Sequence, residues 1–138
     1  MHIQTLASVA ALALVQGDDR FNLFMKEFVD DLSRPDNAAP ERQRSMISDE
    51  PPLLARPALN AFLAGAAEFI AQRADVEAPL WTMRPERFLQ KPVFWGLRPQ
   101  MRAHLLAETP GPFRRRNLFC GYVWLRSSRW DGDVSIRS

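Results

Sequence analysis

The stretch that decides the fold is Asp19-Arg20-Phe21-Asn22-Leu23-Phe24-Met25-Lys26-Glu27-Phe28-Val29-Asp30-Asp31-Leu32-Ser33. Phe21, Phe24, Met25, Phe28, Val29 and Leu32 recur at i, i+3, i+4, i+7, i+8 and i+11, which puts them on one stripe of an α-helix and excludes a strand. A helix over 19–33 follows, introduced by Asp18 or Asp19 as cap. Arg20, Lys26, Glu27, Asp30 and Asp31 occupy the opposite face, a solvated surface in the simpler reading and a partner-binding face in the other.

The same period extends to both sides. Residues 3–15 place Leu6, Val9, Ala10, Ala13 and Leu14 on a stripe, and Gly17 is the natural stop, so the first 33 residues read as a helical hairpin. A third helix is predicted over 57–74, opened by Pro57 and burying Ala58, Leu59, Phe62, Leu63, Ala66, Phe69 and Ile70; Ala64, Gly65 and Ala67 let a second backbone approach. Between them, 34–56 loses the pattern, and Pro35, Pro40, Pro51 and Pro52 among polar residues predict a linker, either mobile or wrapped over a partner. Beyond the third helix, 78–81 should cross the core extended, 82–89 form a short helix, and 99–108 another that presents Met101, Leu105 and Leu106. Strand evidence is confined to 118–125, where a short helix fits equally. The fold class is therefore all-α. The expected organisation is a helical hairpin (1–33), a Pro-rich linker (34–56), a C-terminal helical domain with short helices or extended segments (57–126) and a flexible tail (127–138).

With 138 residues, 46% of them hydrophobic, the chain can bury one ordinary core. Its net charge of +2 hides a polarity: residues 1–77 hold 7 Lys+Arg against 12 Asp+Glu, and residues 78–138 hold 11 against 4. Either the halves dock on each other or the basic half faces something anionic. The single Cys120 excludes an intramolecular disulfide and, in an apolar setting, reads as a small buried hydrophobe. The apolar run 6–15 has no Lys or Arg before it and no clear small-x-small site after it, so export is not expected and the cytoplasm is. No segment is long enough to span a membrane.

Recognition is concentrated in Thr109-Pro110-Gly111-Pro112-Phe113-Arg114-Arg115-Arg116-Asn117-Leu118-Phe119. Three adjacent guanidiniums repel one another unless carboxylates or phosphates stand near, so the triplet is expected to meet an acidic partner, a nucleic acid or the acidic half of its own chain. Trp81, Trp95, Trp124 and Trp130 interleave with arginines as stacking sites do, although Trp81 and Trp95 read more simply as core. The candidate partner-binding residues are Arg114, Arg115, Arg116, Phe113, Asn117, Trp81, Arg84 and Arg87.

Catalytic grammar is missing. The sequence holds no phosphate-cradling Gly loop, no nucleophile elbow and no His-Glu-x-x-His. His2 and His104 have no local carboxylate partner in this reading, Asp30-Asp31 and Asp49-Glu50 read as solvated pairs, and Asp131-Gly132-Asp133 lacks the remaining ligands of a calcium loop. No catalytic residue, metal or cofactor is expected.

Pro79-Leu80-Trp81-Thr82, Arg84-Pro85-Glu86-Arg87-Phe88-Leu89, Phe94-Trp95, and Glu108-Thr109-Pro110 followed by Phe113-Arg114-Arg115-Arg116-Asn117-Leu118-Phe119 resemble, in that order, a widespread bacterial helical domain. That domain occurs alone or behind a helix-turn-helix module of regulator and antitoxin type, and the resemblance covers about residues 57–125. It implies a non-enzymatic, antitoxin-like protein that restrains an enzyme partner, such as a toxin of nucleotidyltransferase fold. Because no helix-turn-helix module precedes 57, operator binding is not implied. The alternative is a nucleic-acid-binding regulator working through the basic half; homo-oligomerisation is left open.

Overall fold

The computed structural model describes residues 3–95 and 99–121. It is mostly helical, and its order is α1 (Leu6–Gln16), α2 (Phe21–Leu32), α3 (Pro40–Ile47), α4 (Pro57–Ala74), β1 (Val93–Phe94), α5 (Arg102–Glu108), α6 (Gly111–Arg114) and β2 (Leu118–Phe119), with 3-10 turns between several of them. Trp124, Trp130, Asp131-Gly132-Asp133, His2, the expected tail and residues 122–125 of the expected strand lie outside the described residues.

α4 is the axis of the molecule. Every residue from Leu59 to Ala71 is buried, so this helix is enclosed on all sides and not merely along a stripe. Its alanines and Gly65 allow that enclosure, since small side chains bring neighbouring elements close. Gly65 faces Phe113 of α6, where an added Cβ would stand 2.7 Å from Phe113 Cε1. Pro57 starts the helix at a position where its missing N–H is not needed. Asp75 stops it in the left-handed region (φ 58°), while Val76 N–H returns to Ala71 O at 2.9 Å.

The α1–α2 hairpin forms as its periodicity requires. Thr5 caps α1, its side chain accepting from Ser8 N–H at 3.1 Å, and Gly17 ends it with φ 111°. Leu14 departs from the expected stripe and is exposed. Asp18–Arg20 forms a 3-10 turn ahead of α2, and neither aspartate caps that helix by its side chain. Phe21 meets Phe62 of α4 edge-on, with ring centroids 5.8 Å apart. One continuous hydrophobic cluster runs from Ile3 to Cys120, so hairpin and C-terminal unit share a core.

The expected linker over 34–56 is instead folded. Pro35 opens a 3-10 turn and Pro40 opens α3, both acting as helix starters. Met46, Ile47 and Leu54 are buried, and Asn60 of α4 holds Leu54 by both its N–H (2.7 Å) and its C=O (3.0 Å). A second difference lies at 78–89: Leu80 and Trp81, predicted to be extended, join Thr82 and Met83 in a 3-10 turn, Leu80–Met83, and the short helix expected over 82–89 is reduced to that turn and a second one, Pro85–Arg87. The short helix at 99–108 is present as a 3-10 turn, Pro99–Met101, followed by α5.

β1 and β2 pair in parallel, Val93 against Leu118 and Phe94 against Phe119, whose rings stack at 4.9 Å. Strand structure at 118–119 was one of the two readings open from sequence, and its partner at 93–94 was not anticipated. Two-residue strands are too short to show alternation. Among the described residues no helix is long and apolar enough to cross a membrane.

Candidate functional site

The arginine triplet does not form one surface. Arg114, at the end of α6, is exposed and donates to Leu106 O; Arg115 is half-exposed; Arg116 is fully enclosed. Three consecutive positions in a tightening turn point in three directions, and only the third meets the core. Asn117 follows in the left-handed region (φ 64°) and donates from Nδ2 to Leu89 O at 2.8 Å, which steers the chain into β2.

Arg116 is held through both terminal nitrogens, while its Nε has no hydrogen-bond partner among the described residues. Its Nη1 donates to Glu68 Oε1 at 2.5 Å and to Pro112 O at 2.7 Å, and its Nη2 donates to Thr82 O at 2.8 Å. The guanidinium lies 4.6 Å from the Phe88 ring centroid. Burial and the neighbouring Arg115 charge pull its pKa down to about 10, so the group keeps its charge at neutral pH. Arg115 pairs with the other oxygen of Glu68.

The pattern recurs 18 residues earlier on Glu50. Arg84 Nε lies 3.2 Å from Glu50 Oε1, and Arg87 Nη2 lies 3.2 Å from Glu50 Oε2. Again one arginine, Arg87, is fully enclosed and packed on an aromatic ring, Trp81 at 4.9 Å, while the other, Arg84, is half-exposed. Burial lowers the Arg87 pKa from its ordinary value, opposed by the hydrogen bond and charge of Glu50. Trp81 is buried and donates from Nε1 to Ile47 O at 3.1 Å. Each glutamate from the acidic half therefore clamps two arginines of the basic half.

These contacts correct several readings. Arg87, Arg116, Phe113 and Trp81 are interior groups and offer no surface to a partner in this conformation; Phe113 stacks on Phe62 at 5.2 Å. Asp49-Glu50 is not simply a solvated pair, because Glu50 is a clamp. Asp31 is buried and lies 3.8 Å from Arg34, and His104 Nε2 lies 3.3 Å from Glu108 Oε1 one helical turn on. Glu68 had a readable signal: it is the one carboxylate in the eighteen residues of α4, and a buried charge demands a partner.

What remains outside is a small apolar face with a basic rim. Leu80 is 90% exposed and Met83 61%, three positions apart in a 3-10 turn, the spacing at which side chains eclipse. Arg84 adjoins Met83, and Thr82 ties the turn to Arg116 and through Glu68 to Arg115. The sequence reading sent Leu80 into the core and missed this pair; the proline on either side of the turn, Pro79 and Pro85, was the available signal.

Elsewhere, Gln4, Asp31, Arg34, Asp36, Asn37 and Arg42 line a polar cavity of about 330 Å³, whose polar groups partly engage one another: Arg42 Nε donates to Asn37 Oδ1 at 2.9 Å, and Asn37 Nδ2 to Asp31 O at 2.7 Å. Among the described residues no three His, Cys, Asp or Glu side chains gather as metal ligands. Cys120 is buried, and burial pushes its thiol pKa well up, away from the thiolate a nucleophile needs.

Fold and site together define a small all-α domain cross-clamped by glutamates between arginine pairs. No protein-family model, curated protein or solved structure matches the chain.

Proposed function

We propose that this protein is a non-enzymatic, antitoxin-like binding protein that covers and restrains an enzyme partner, meeting it through the Leu80–Met83 turn and the half-exposed arginines around it. The observation that carries the reading is the exposure of Leu80 and Met83 on a turn anchored from beneath by Trp81, Thr82 and the two clamps. Water-exposed apolar side chains on a rigid support favour burial against another surface, and methionine and arginine are enriched at protein–protein interfaces. The exposed Arg114 and half-exposed Arg84 and Arg115 select an acidic surface and raise the rate of encounter with it. The resemblance of 57–125 to antitoxin-type domains points the same way.

The test is capture from the native host after nuclease treatment, comparing the wild-type chain with a Leu80→Asp, Met83→Asp variant, followed by assay of the captured enzyme. A stoichiometric enzyme held by the wild type alone, and slowed when the wild type is added back, supports the reading. Recovery of the protein without a partner, or equal capture by both chains, overturns it. Nucleic-acid binding remains the second reading, resting on the same three outward arginines. It predicts a steep fall of affinity with salt.

A further inference from the structure

The two clamps are not equivalent. Glu68 is 8% exposed and sits 2.5 Å from Arg116, whose two terminal nitrogens are both engaged. Glu50 is 32% exposed, stands 3.2 Å from each of its arginines, and lies on 48–56, a stretch with neither helix nor strand. Arg87 is fully enclosed, yet only its Nη2 donates, to Glu50 and to Pro51 O at 2.6 Å; Nε and Nη1 have no hydrogen-bond partner among the described residues. The Trp81 ring, 4.9 Å away, contributes a π face but no lone pair for these N–H groups.

One carboxylate between two guanidiniums leaves a net positive charge that the nearby Glu86 offsets only in part, and enclosed donors without acceptors are costly to leave unpaired. A guanidinium fork fits groups with several oxygens on one centre, which are carboxylates and phosphates. Pro51 O holds Arg87 through the main chain, so the arginine stays in place if the Glu50 side chain turns outward to water.

We propose that Arg84 and Arg87, backed by Trp81, form an oxyanion-binding site that the Glu50 side chain plugs in the free protein and that an incoming phosphate or carboxylate group enters by displacing Glu50. The exchange makes and breaks no covalent bond. It needs no partner protein, so it stands or falls separately from the binding function proposed above.

The experiment is a titration of the full ¹⁵N-labelled chain, at constant ionic strength, with inorganic phosphate, acetate or chloride, following the Arg84 and Arg87 Nε–H and Trp81 Nε1–H resonances. Wild type is expected to respond weakly, and Glu50→Gln, which keeps the shape but removes the competing charge, to bind about tenfold more tightly. Adding Arg84→Gln to Glu50→Gln should abolish the response. Stronger binding of phosphate assigns the site to phosphate groups, and stronger binding of acetate to carboxylates. Equal affinity of wild type and Glu50→Gln, or a response to chloride as large as to either oxyanion, overturns the proposal. Should Glu50→Gln fail to fold, the wild-type titration decides: Arg87 and Trp81 resonances that do not move with phosphate or acetate overturn it too.

Discussion

Arg116 Nη1 lies 2.5 Å from Glu68 Oε1, joining two enclosed side chains that stand 48 residues apart in the chain. This contact and its counterpart at Glu50 show where the charge polarity of the sequence goes. Glu50 and Glu68 belong to the acidic half, and the four arginines they hold belong to the basic half. The halves dock on each other, one of the two outcomes the polarity allowed, and the dry side of each clamp is screened little by salt.

Arg116→Ala should cost up to about 3–5 kcal/mol of folding stability, because it leaves the enclosed Glu68 carboxylate with only the half-exposed Arg115 as its partner. Pro112 and Thr82 carbonyls lose their donor as well. Replacing Arg116 and Glu68 together by methionine should restore much of the loss, and a double-mutant cycle in urea should show a coupling of about 1 kcal/mol or more. Strictly additive costs would rule the pair out as a coupled unit.

Gly65→Ala should destabilise, although alanine is the better helix former by about 1 kcal/mol. The new methyl would meet the Phe113 ring, which is fully enclosed and stacked on Phe62, so the ring has nowhere to move. Overpacking of this kind costs about 1–3 kcal/mol. The melting temperature should therefore fall, and Phe113→Leu in the same chain should recover part of it; a rise with Gly65→Ala alone contradicts the close approach.

The long helices were legible because their signals are local. Pro57 starts α4, the apolar period continues through it, and the predicted span 57–74 matches the observed Pro57–Ala74. The 34–56 segment was misread because a proline is ambiguous from sequence: Pro35 and Pro40 look like breaks but sit where helices begin. The arginine triplet failed for another reason. Which of Arg114, Arg115 and Arg116 turns inward depends on Glu68 and Thr82, far away in the chain, and no periodicity reports a partner at that distance.

Asn60→Ala tests the order of that segment directly. Asn60 satisfies both backbone groups of Leu54, and without it those buried groups lose their partners. The expected cost is about 2–3 kcal/mol, with faster hydrogen exchange at the Leu54 amide than anywhere in α4. A Leu54 amide that already exchanges freely in the wild type would contradict the packed arrangement.

Cys120 should be inert to thiol reagents in the native protein and react fully once the chain unfolds, because burial raises its pKa and keeps it protonated. The sign of the pH dependence follows. With the folded pKa above the unfolded one, the contribution is complete below the ordinary thiol value of 9.0 and is lost progressively as pH rises past it, since only the unfolded chain can then ionise. Cys120→Val should flatten that alkaline decline; an unchanged decline would assign it to other groups.

Single replacements across the triplet should separate binding from folding. Arg114 is exposed and Arg115 half-exposed, so alanine at either should slow the partner's association and raise its off-rate while shifting the melting temperature little, with Arg115 showing the larger thermal effect because it also touches Glu68. Arg116→Ala should do the reverse, lowering the melting temperature sharply and altering the off-rate only as far as the Leu80–Met83 turn loosens when Thr82 loses its donor. Surface plasmon resonance with the captured enzyme and thermal melting of the same three variants decide the matter. If all three leave both rates unchanged, Arg115 and Arg116 serve only to hold the two halves of the chain together, and the partner must be sought on another face.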